Sequence, residues 1–377
     1  MSTLPPITPY QLITTTHDWH ACLTHLEQVP RLAIDLESNS MFAYQEEVCL
    51  IQISTTDHDF IVDPLANISI EHLGPIINNP DQEKILHAAE YDLMLMQSQY
   101  GWQLNNLFDT MWAARILGHT HIGLANVLKN EYGLTISKKY QRSNWSARPL
   151  SDAQLAYAQR DTHYLIPLRH RLNQELEEKG FKEEAEEIFE QQTHVKNTLK
   201  QFHPDDFWNA HGVRRLSASS QAILKELFLF RDREAQHRDR PPFKIFGDKT
   251  LLAIAQQQPD QLHELENIKG MSKSQLRRYG RRLLAIVHQH RHSPAPKRPR
   301  YTPRPPEDVY HRYELLHTWR KERAKERGVE SDVILNRDTL WAIAHACPTT
   351  LTDLEAINGL GPYRRRTYGQ EILDLLH

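Results

Sequence analysis

Five side chains in the first half of the chain are of types suited to holding divalent cations and steering a nucleophile. Asp35 and Glu37 stand two apart in the apolar run Arg31-Leu-Ala-Ile-Asp-Leu-Glu37. In a strand that spacing turns both carboxylates to one face. Asp92 follows the apolar stretch Lys84-Ile-Leu-His87, in what reads as the first turns of a helix. An acid there also complements the helix dipole. Tyr157 and Asp161 stand four apart, which stacks phenol and carboxylate on one helical face. Each fragment alone has an ordinary explanation: solvated acids at a strand end, a dipole-complementing aspartate, a surface hydrogen bond. Together the four carboxylates make a hard oxygen donor set for Mg²⁺ or Mn²⁺. Two such ions about 4 Å apart can clamp the attacking and leaving oxygens of a phosphodiester.

These residues need a scaffold. Three apolar runs, Arg31–Glu37, Val48–Ser54 and Asp59–Asp63, follow one another with connections too short for crossover helices, which predicts an antiparallel meander. A helix-like stretch with Leu73, Ile76 and Ile77 precedes a fourth strand at Lys84–His87, as a mixed α/β sheet requires. From Asp109 to Gln201 the pattern reads as almost wholly helical. Ser151 is a plausible N-cap before the periodicity Leu155, Ala158, Thr162 and Leu165, and Pro167 should end or kink that helix.

Beyond Val213 the sequence repeats itself. Arg231/Arg320, Thr250/Thr339, Leu251/Leu340, Ala255/Ala344, Leu265/Leu354, Gly270/Gly359, Tyr279/Tyr368 and Gly280/Gly369 all stand 89 residues apart. That register predicts two copies of one helical domain, too few and too long for a solenoid. Between them, Arg291–Pro306 holds six prolines, five basic residues and no acid, the composition of an extended, semi-rigid linker.

Charge divides along the same line. Residues 1–200 carry 15 Lys+Arg against 26 Asp+Glu, a net of −11, and residues 201–377 carry 30 against 22, a net of +8. The rear half is thus expected to meet a polyanion. Three cysteines without a C-x-x-C pair argue against a disulfide framework or a thiolate zinc site and fit a reducing cytosol. The first ten residues have no secretory pattern, and no run of about 18 apolar residues occurs. A soluble, cytoplasmic protein with no membrane partner is expected.

The ordered combination of D-x-E on a core strand, Asp at a strand-to-helix junction and Y-x-x-x-D on a later helix resembles the tyrosine-containing branch of the DEDD exonuclease superfamily. Phe108-Asp109-Thr110, Asn144-Trp-Ser-Ala-Arg-Pro-Leu150 and Tyr157-Ala-Gln-Arg-Asp-Thr-His-Tyr164 sharpen the resemblance toward ribonuclease D. The repeated domains look like helicase-and-RNase-D C-terminal (HRDC) modules. Ser38–Tyr44 is also similar to the nuclear-exosome relatives. The resemblance implies an α/β ribonuclease H-like exonuclease domain with a mixed sheet over residues 1–205. Two all-α HRDC-like domains would follow at 210–291 and 307–377, joined by the linker at 292–306.

It also implies a 3′-to-5′ exoribonuclease with two metal ions, Mg²⁺ or Mn²⁺. Such an enzyme releases nucleoside 5′-monophosphates from RNA with a single-stranded 3′ end, tRNA precursors and other structured small RNAs among them. It would act as a monomer, without a nucleotide cofactor. By the family pattern Asp35 bridges both metals, Glu37 and Asp161 complete the site of the metal carrying the attacking water, and Asp92 helps hold the second. Tyr157, with an ordinary phenol pKa of about 10, is suited to orienting that water rather than deprotonating it. A DNA exonuclease and a non-catalytic RNA-binding protein on a nuclease fold are the alternatives. A helicase lacks support, since no G-x-x-x-x-G-K-[ST] occurs.

Other residues draw milder expectations. His87 is expected in a structural hydrogen bond and His163 in a structural or surface role. Asp109 reads as an N-cap and Gln52 as a strand polar residue, solvent-facing or site-facing. In the repeats, Lys273, Arg277, Arg278 and Arg281, with Arg364, Arg365 and Arg366 in the second copy, are expected to contact RNA phosphates. The associated glycines and tyrosines are expected to serve packing.

Overall fold

The computed structural model describes residues 4–194, 202–298 and 305–377. The predicted meander is present as β2 (Arg31–Ser38), β3 (Val48–Ser54) and β4 (Asp59–Val62), antiparallel throughout. β5 (Glu83–Leu86) joins β2 in parallel after two short helical turns spanning Ile70–Leu73 and Gly74–Asn78. Two three-residue strands escaped the sequence reading. β1 (Gln11–Ile13) adds in parallel to β4, and β6 (Leu107–Asp109) adds in parallel to β5. The sheet order is β1-β4-β3-β2-β5-β6, so the acid-bearing strand β2 lies inside the sheet, paired on both edges.

The expectation of near-continuous helix after Asp109 needs correction. The Leu124–Tyr132 helix ends at Gly133, whose φ of 69° is left-handed, and residues 133–151 contain no helix. The loop is held from outside. Arg148 donates to both carboxylate oxygens of Asp63 (2.7 and 2.7 Å) and to the carbonyls of Cys49 (2.8 Å) and Trp145 (2.6 Å). Helix resumes where Ser151 was expected to cap it. Ser151 and Gln154 form a reciprocal capping box at the start of Asp152–His163. That helix stops at Tyr164, and Pro167 lies in the first turn of a new one, Leu165–Glu178, where it costs no hydrogen bond.

The chain forms two compact units. One comprises Met1–Ser38, Val48–Leu199 and Arg304–His377, and the other Asn39–Glu47 and Lys200–Pro303. The second helical copy, read from sequence as a domain of its own, therefore shares a unit with the sheet domain. Its Arg327 and Arg364 pair with Glu184 and Glu187 of the Lys182–Thr193 helix. In the other unit the first copy holds the β2–β3 connection: the Tyr44 hydroxyl donates to Asp232 (2.8 Å) and the Tyr44 amide to Asp239 (2.9 Å). Of the linker, residues 292–298 form neither helix nor strand. Its remaining span up to 304 lies outside the described residues.

Candidate active site

The face of β2 carrying Asp35 and Glu37 is fixed by register, Asp35 opposite Gln52 and Glu37 opposite Leu50 on β3. The ladder is interrupted between Glu37 and Ser38, so the strand ends its regular course right after the second acid. Asp92 enters through the tight turn from β5 to the Glu90–Tyr100 helix, where Ala88 adopts φ 64°. The fully buried Asp109 clamps that turn, accepting from the amides of Ala88 (3.0 Å) and Ala89 (2.8 Å). It also accepts from Met111 (2.8 Å) and Trp112 (3.2 Å). Asp109 is thus the N-cap the sequence suggested and, in addition, a bond between two helix starts.

Tyr157 and Asp161 are brought over the sheet by the Asp152–His163 helix, which is fastened to it by a buried polar cluster. Ser54 meets Thr162 (2.7 Å), Gln159 donates to Asp59 (2.7 Å) and His163 Nδ1 lies 2.8 Å from Asp59. His163 is therefore a structural residue; burial lowers its pKa, but the hydrogen bond and charge of Asp59 outweigh that and raise it above the ordinary imidazole value. His87 is likewise in a hydrogen bond, Nδ1 to Thr110 Oγ1 at 2.9 Å.

Carboxylate oxygens of Asp35, Glu37 and Asp161 lie within 4.8 Å of one another. Asp92 stands outside that trio yet close enough for its charge to be felt by Glu37. Burial first, and then mutual repulsion, drives these acids upward. Glu37 is pushed up to about 10 by burial, Asp35, Asp161 and Asp92. Burial lifts Asp35 to about 7, and Asp92 and Asp161 also rise well above the carboxylate range, burial acting first and the charge of Asp35 next. Burial and mutual repulsion disfavour ionising all four together, whereas a shared multivalent cation reverses the sign of the field at each. The donor set fits Mg²⁺ or Mn²⁺. The Tyr157 phenol, bonded to Asp161, is raised by burial and by Asp161, Glu37 and Asp35. It remains an O–H donor.

Gln52 does not face solvent. It is fully buried directly opposite Asp35, and neither of its amide atoms has a hydrogen-bond partner among the described residues.

The basic residues of the two repeats diverge. Lys273, Arg277, Arg278 and Arg281 are exposed along the Lys273–His290 helix. Arg364 must be withdrawn as an RNA contact: it is 4 % exposed, and its guanidinium is occupied by Glu187 (3.3 Å), Gln191 (3.0 Å) and the Val333 carbonyl (3.1 Å). Arg366 is exposed but paired with Glu183, and Arg365 lies 3.8 Å from Glu355.

A mixed sheet with this acid cluster, continued by two copies of one helical domain, defines a 3′-5′ exonuclease fold carrying HRDC modules. A 3′-5′ exonuclease family model matches residues 10–177, and the HRDC domain model matches 220–287 and 311–376. Ribonuclease D of Gluconacetobacter diazotrophicus is 32% identical over 266 residues, 70% of this chain and 67% of that protein. The chain belongs to the ribonuclease D family. Protein RRP6-like 1 of Arabidopsis thaliana is 30% identical over 275 residues, 69% of this chain, and the match spans 43% of that longer protein. Among solved structures, the catalytic core of RRP6 from Trypanosoma brucei superposes with a TM-score of 0.68 at 28% identity, covering 77% of this chain and 83% of that one.

Proposed function

We propose that this chain is a 3′-to-5′ exoribonuclease that hydrolyses the terminal phosphodiester of RNA and releases nucleoside 5′-monophosphates. The observation that carries the reading is the convergence of Asp35, Glu37 and Asp161 within 4.8 Å, with Asp92 in the same field. Asp35, Glu37, Asp92 and Asp161 would hold two divalent ions, which supply Lewis-acid stabilisation of the phosphoryl oxygens and acidify the attacking water when bound. Tyr157 orients that water through its hydroxyl, while its bond to Asp161 fixes the phenol. The water oxygen bonds to phosphorus as the bond to the upstream 3′-oxygen breaks, and the shortened RNA leaves with a 3′-hydroxyl.

Substrates are RNAs with a single-stranded 3′ end, tRNA precursors and other structured small RNAs among them. The exposed Lys273, Arg277, Arg278 and Arg281 bind the RNA backbone, and the protein works as a cytoplasmic monomer. No helix among the described residues is long and apolar enough to cross a membrane.

The test is product analysis on an end-labelled, structured RNA with a short 3′ tail in Mg²⁺, beside a matched DNA strand. Stepwise 5′-monophosphates from the RNA are expected. Asp35→Asn and Asp161→Asn should each abolish release with folding intact, and Tyr157→Phe should lower kcat more than RNA affinity. Wild-type turnover in either aspartate variant overturns the site.

A further inference from the structure

A catalytic half with a net charge of −11 must still receive the end of a polyanion. Several of its cations are occupied. Arg31 and Arg169 pair with Glu83, Arg115 with Asp332, Arg148 with Asp63 and Arg171 with Glu131. Among the described residues, the loop that interrupts the helices is where cations without ion pairs gather most closely. Residues 133–150 contain two lysines and two arginines and no acid. Arg148 is consumed in anchoring, together with the buried Trp145. Lys138, Lys139 and Arg142 are exposed, and among the described residues none of them has an ion-pair partner.

Placement gives this loop a purpose. The half-buried Tyr140 ring lies 6.3 Å from the ring of Tyr157 at an interplanar angle of 62°, and the Lys139 ammonium lies 5.2 Å from the Tyr140 ring. Lys138 lies near Gly123 and His87. Its ammonium comes within 3.8 Å of a Cβ position at Gly123, and its charge adds to burial in pushing His87 down to about 4. Lys138 thus lies near His87, just before the Asp92 helix begins, and Tyr140 lies beside Tyr157. A merely solvated loop has no need of a ring set against Tyr157 between unpaired cations. An aromatic face amid free positive charges is the recurring means of holding a single strand, the ring stacking on a base and the cations on phosphates.

We infer that residues 138–142 form a subsite for the 3′-terminal segment of single-stranded RNA, with Tyr140 stacking on a base and Lys138, Lys139 and Arg142 taking the adjacent phosphates. The inference rests on the exonuclease reading and adds to it the residues that receive the substrate. It assigns to the acidic half a short-range grip separate from the basic helix of the first repeat.

The test uses the full chain and a short, unstructured RNA oligonucleotide, with KM and kcat measured across a range of salt concentrations. Tyr140→Ala should raise KM roughly tenfold, from the loss of one stacked base. Tyr140→Phe, which keeps the ring, should stay within about twofold of the wild type. Lys139→Gln/Arg142→Gln removes only exposed groups and should flatten the logarithmic salt dependence of kcat/KM by about 1.4, two phosphates at roughly 0.7 each. Wild-type KM in Tyr140→Ala together with an unaltered salt slope in the double variant overturns the subsite. So does a loss confined to kcat, which would make Tyr140 a prop for Tyr157. If the wild type itself releases no 5′-monophosphates, the exonuclease reading fails instead, and the two failures are told apart by that control.

Discussion

The two HRDC copies are one scaffold put to two uses. Equivalent positions build the same framework. Arg231 donates to the Phe246 carbonyl at 3.0 Å and Arg320 to the Leu335 carbonyl at 2.9 Å. Gly270 and Gly359 adopt φ of 94° and 83°, each where a Cβ would run into a threonine hydroxyl. Phe230 meets Tyr279 edge-on as Trp319 meets Tyr368. The difference lies at the start of the last helix. In the first copy Ser272 and Gln275 cap it with their own side chains and leave its basic face open. In the second, Gly361 stands where a Cβ would come within 2.2 Å of the Glu187 carboxyl carbon, and Glu187 itself accepts from the Tyr363 amide at 2.7 Å. A neighbouring acidic helix has become the cap, and the arginines around it are bound to that helix. Conserving a fold across a duplication has not conserved what its surface meets.

The contrast breaks most readily at Arg327, whose guanidinium meets the fully buried Glu184 at 2.6 Å. Arg327→Ala leaves that carboxylate buried and unpaired and should cost about 3–5 kcal/mol in denaturant unfolding. The equivalent Arg238 in the first copy pairs with Glu234 at 3.6 Å and is 30% exposed. Arg238→Ala should cost less than about 1 kcal/mol. Equal losses would mean that the second copy is no more fastened than the first.

The caps give a smaller effect of opposite intuition. Serine is the better N-cap residue, yet Gly361→Ser should destabilise by roughly 1–3 kcal/mol because Glu187 fills its space. The reciprocal Ser272→Gly should cost only a few tenths, by about the usual margin between those caps. A neutral or stabilising Gly361→Ser, measured by thermal unfolding, would show that Glu187 yields without loss. Finest of all is a difference in salt dependence. Arg277→Gln/Arg281→Gln should flatten the salt slope of binding to a structured RNA by about 1.4 with no change in Tm. Arg365→Gln/Arg366→Gln should leave the slope unchanged, and equal slopes in both double variants would erase the distinction between the copies.

Local patterns carried the sequence reading a long way. Alternation placed Asp35 and Glu37 on one face, short connections made β2–β4 a meander, and Ser151 marked its helix start because capping chemistry is written in neighbouring residues. What escaped was either too short or too distant. β1 and β6 have three residues each, below the length at which period-two alternation can be read. The loop at 133–151 merges with its helical surroundings in sequence, although its acid-free stretch with two lysines, a tyrosine and two arginines sets it apart. Arg148 finds Asp63 across 85 residues, and Arg327 finds Glu184 across 143. For that reason the +8 of the rear half overstated its footprint, since part of it is neutralised on the sheet domain.

The interleaving of the units bears on how the protein is made. Residues 304–377 complete a unit whose other parts lie before residue 200. Domains fold as units while the ribosome makes the chain at roughly 5–20 residues per second, the first-made first. Here Glu184 and Glu187 leave the ribosome long before Arg327 and Arg364 exist, an interval on the order of ten seconds at those rates. Throughout it the nascent sheet domain presents an acidic helix without its arginines, so the segment that completes this unit is translated only after the other unit has been.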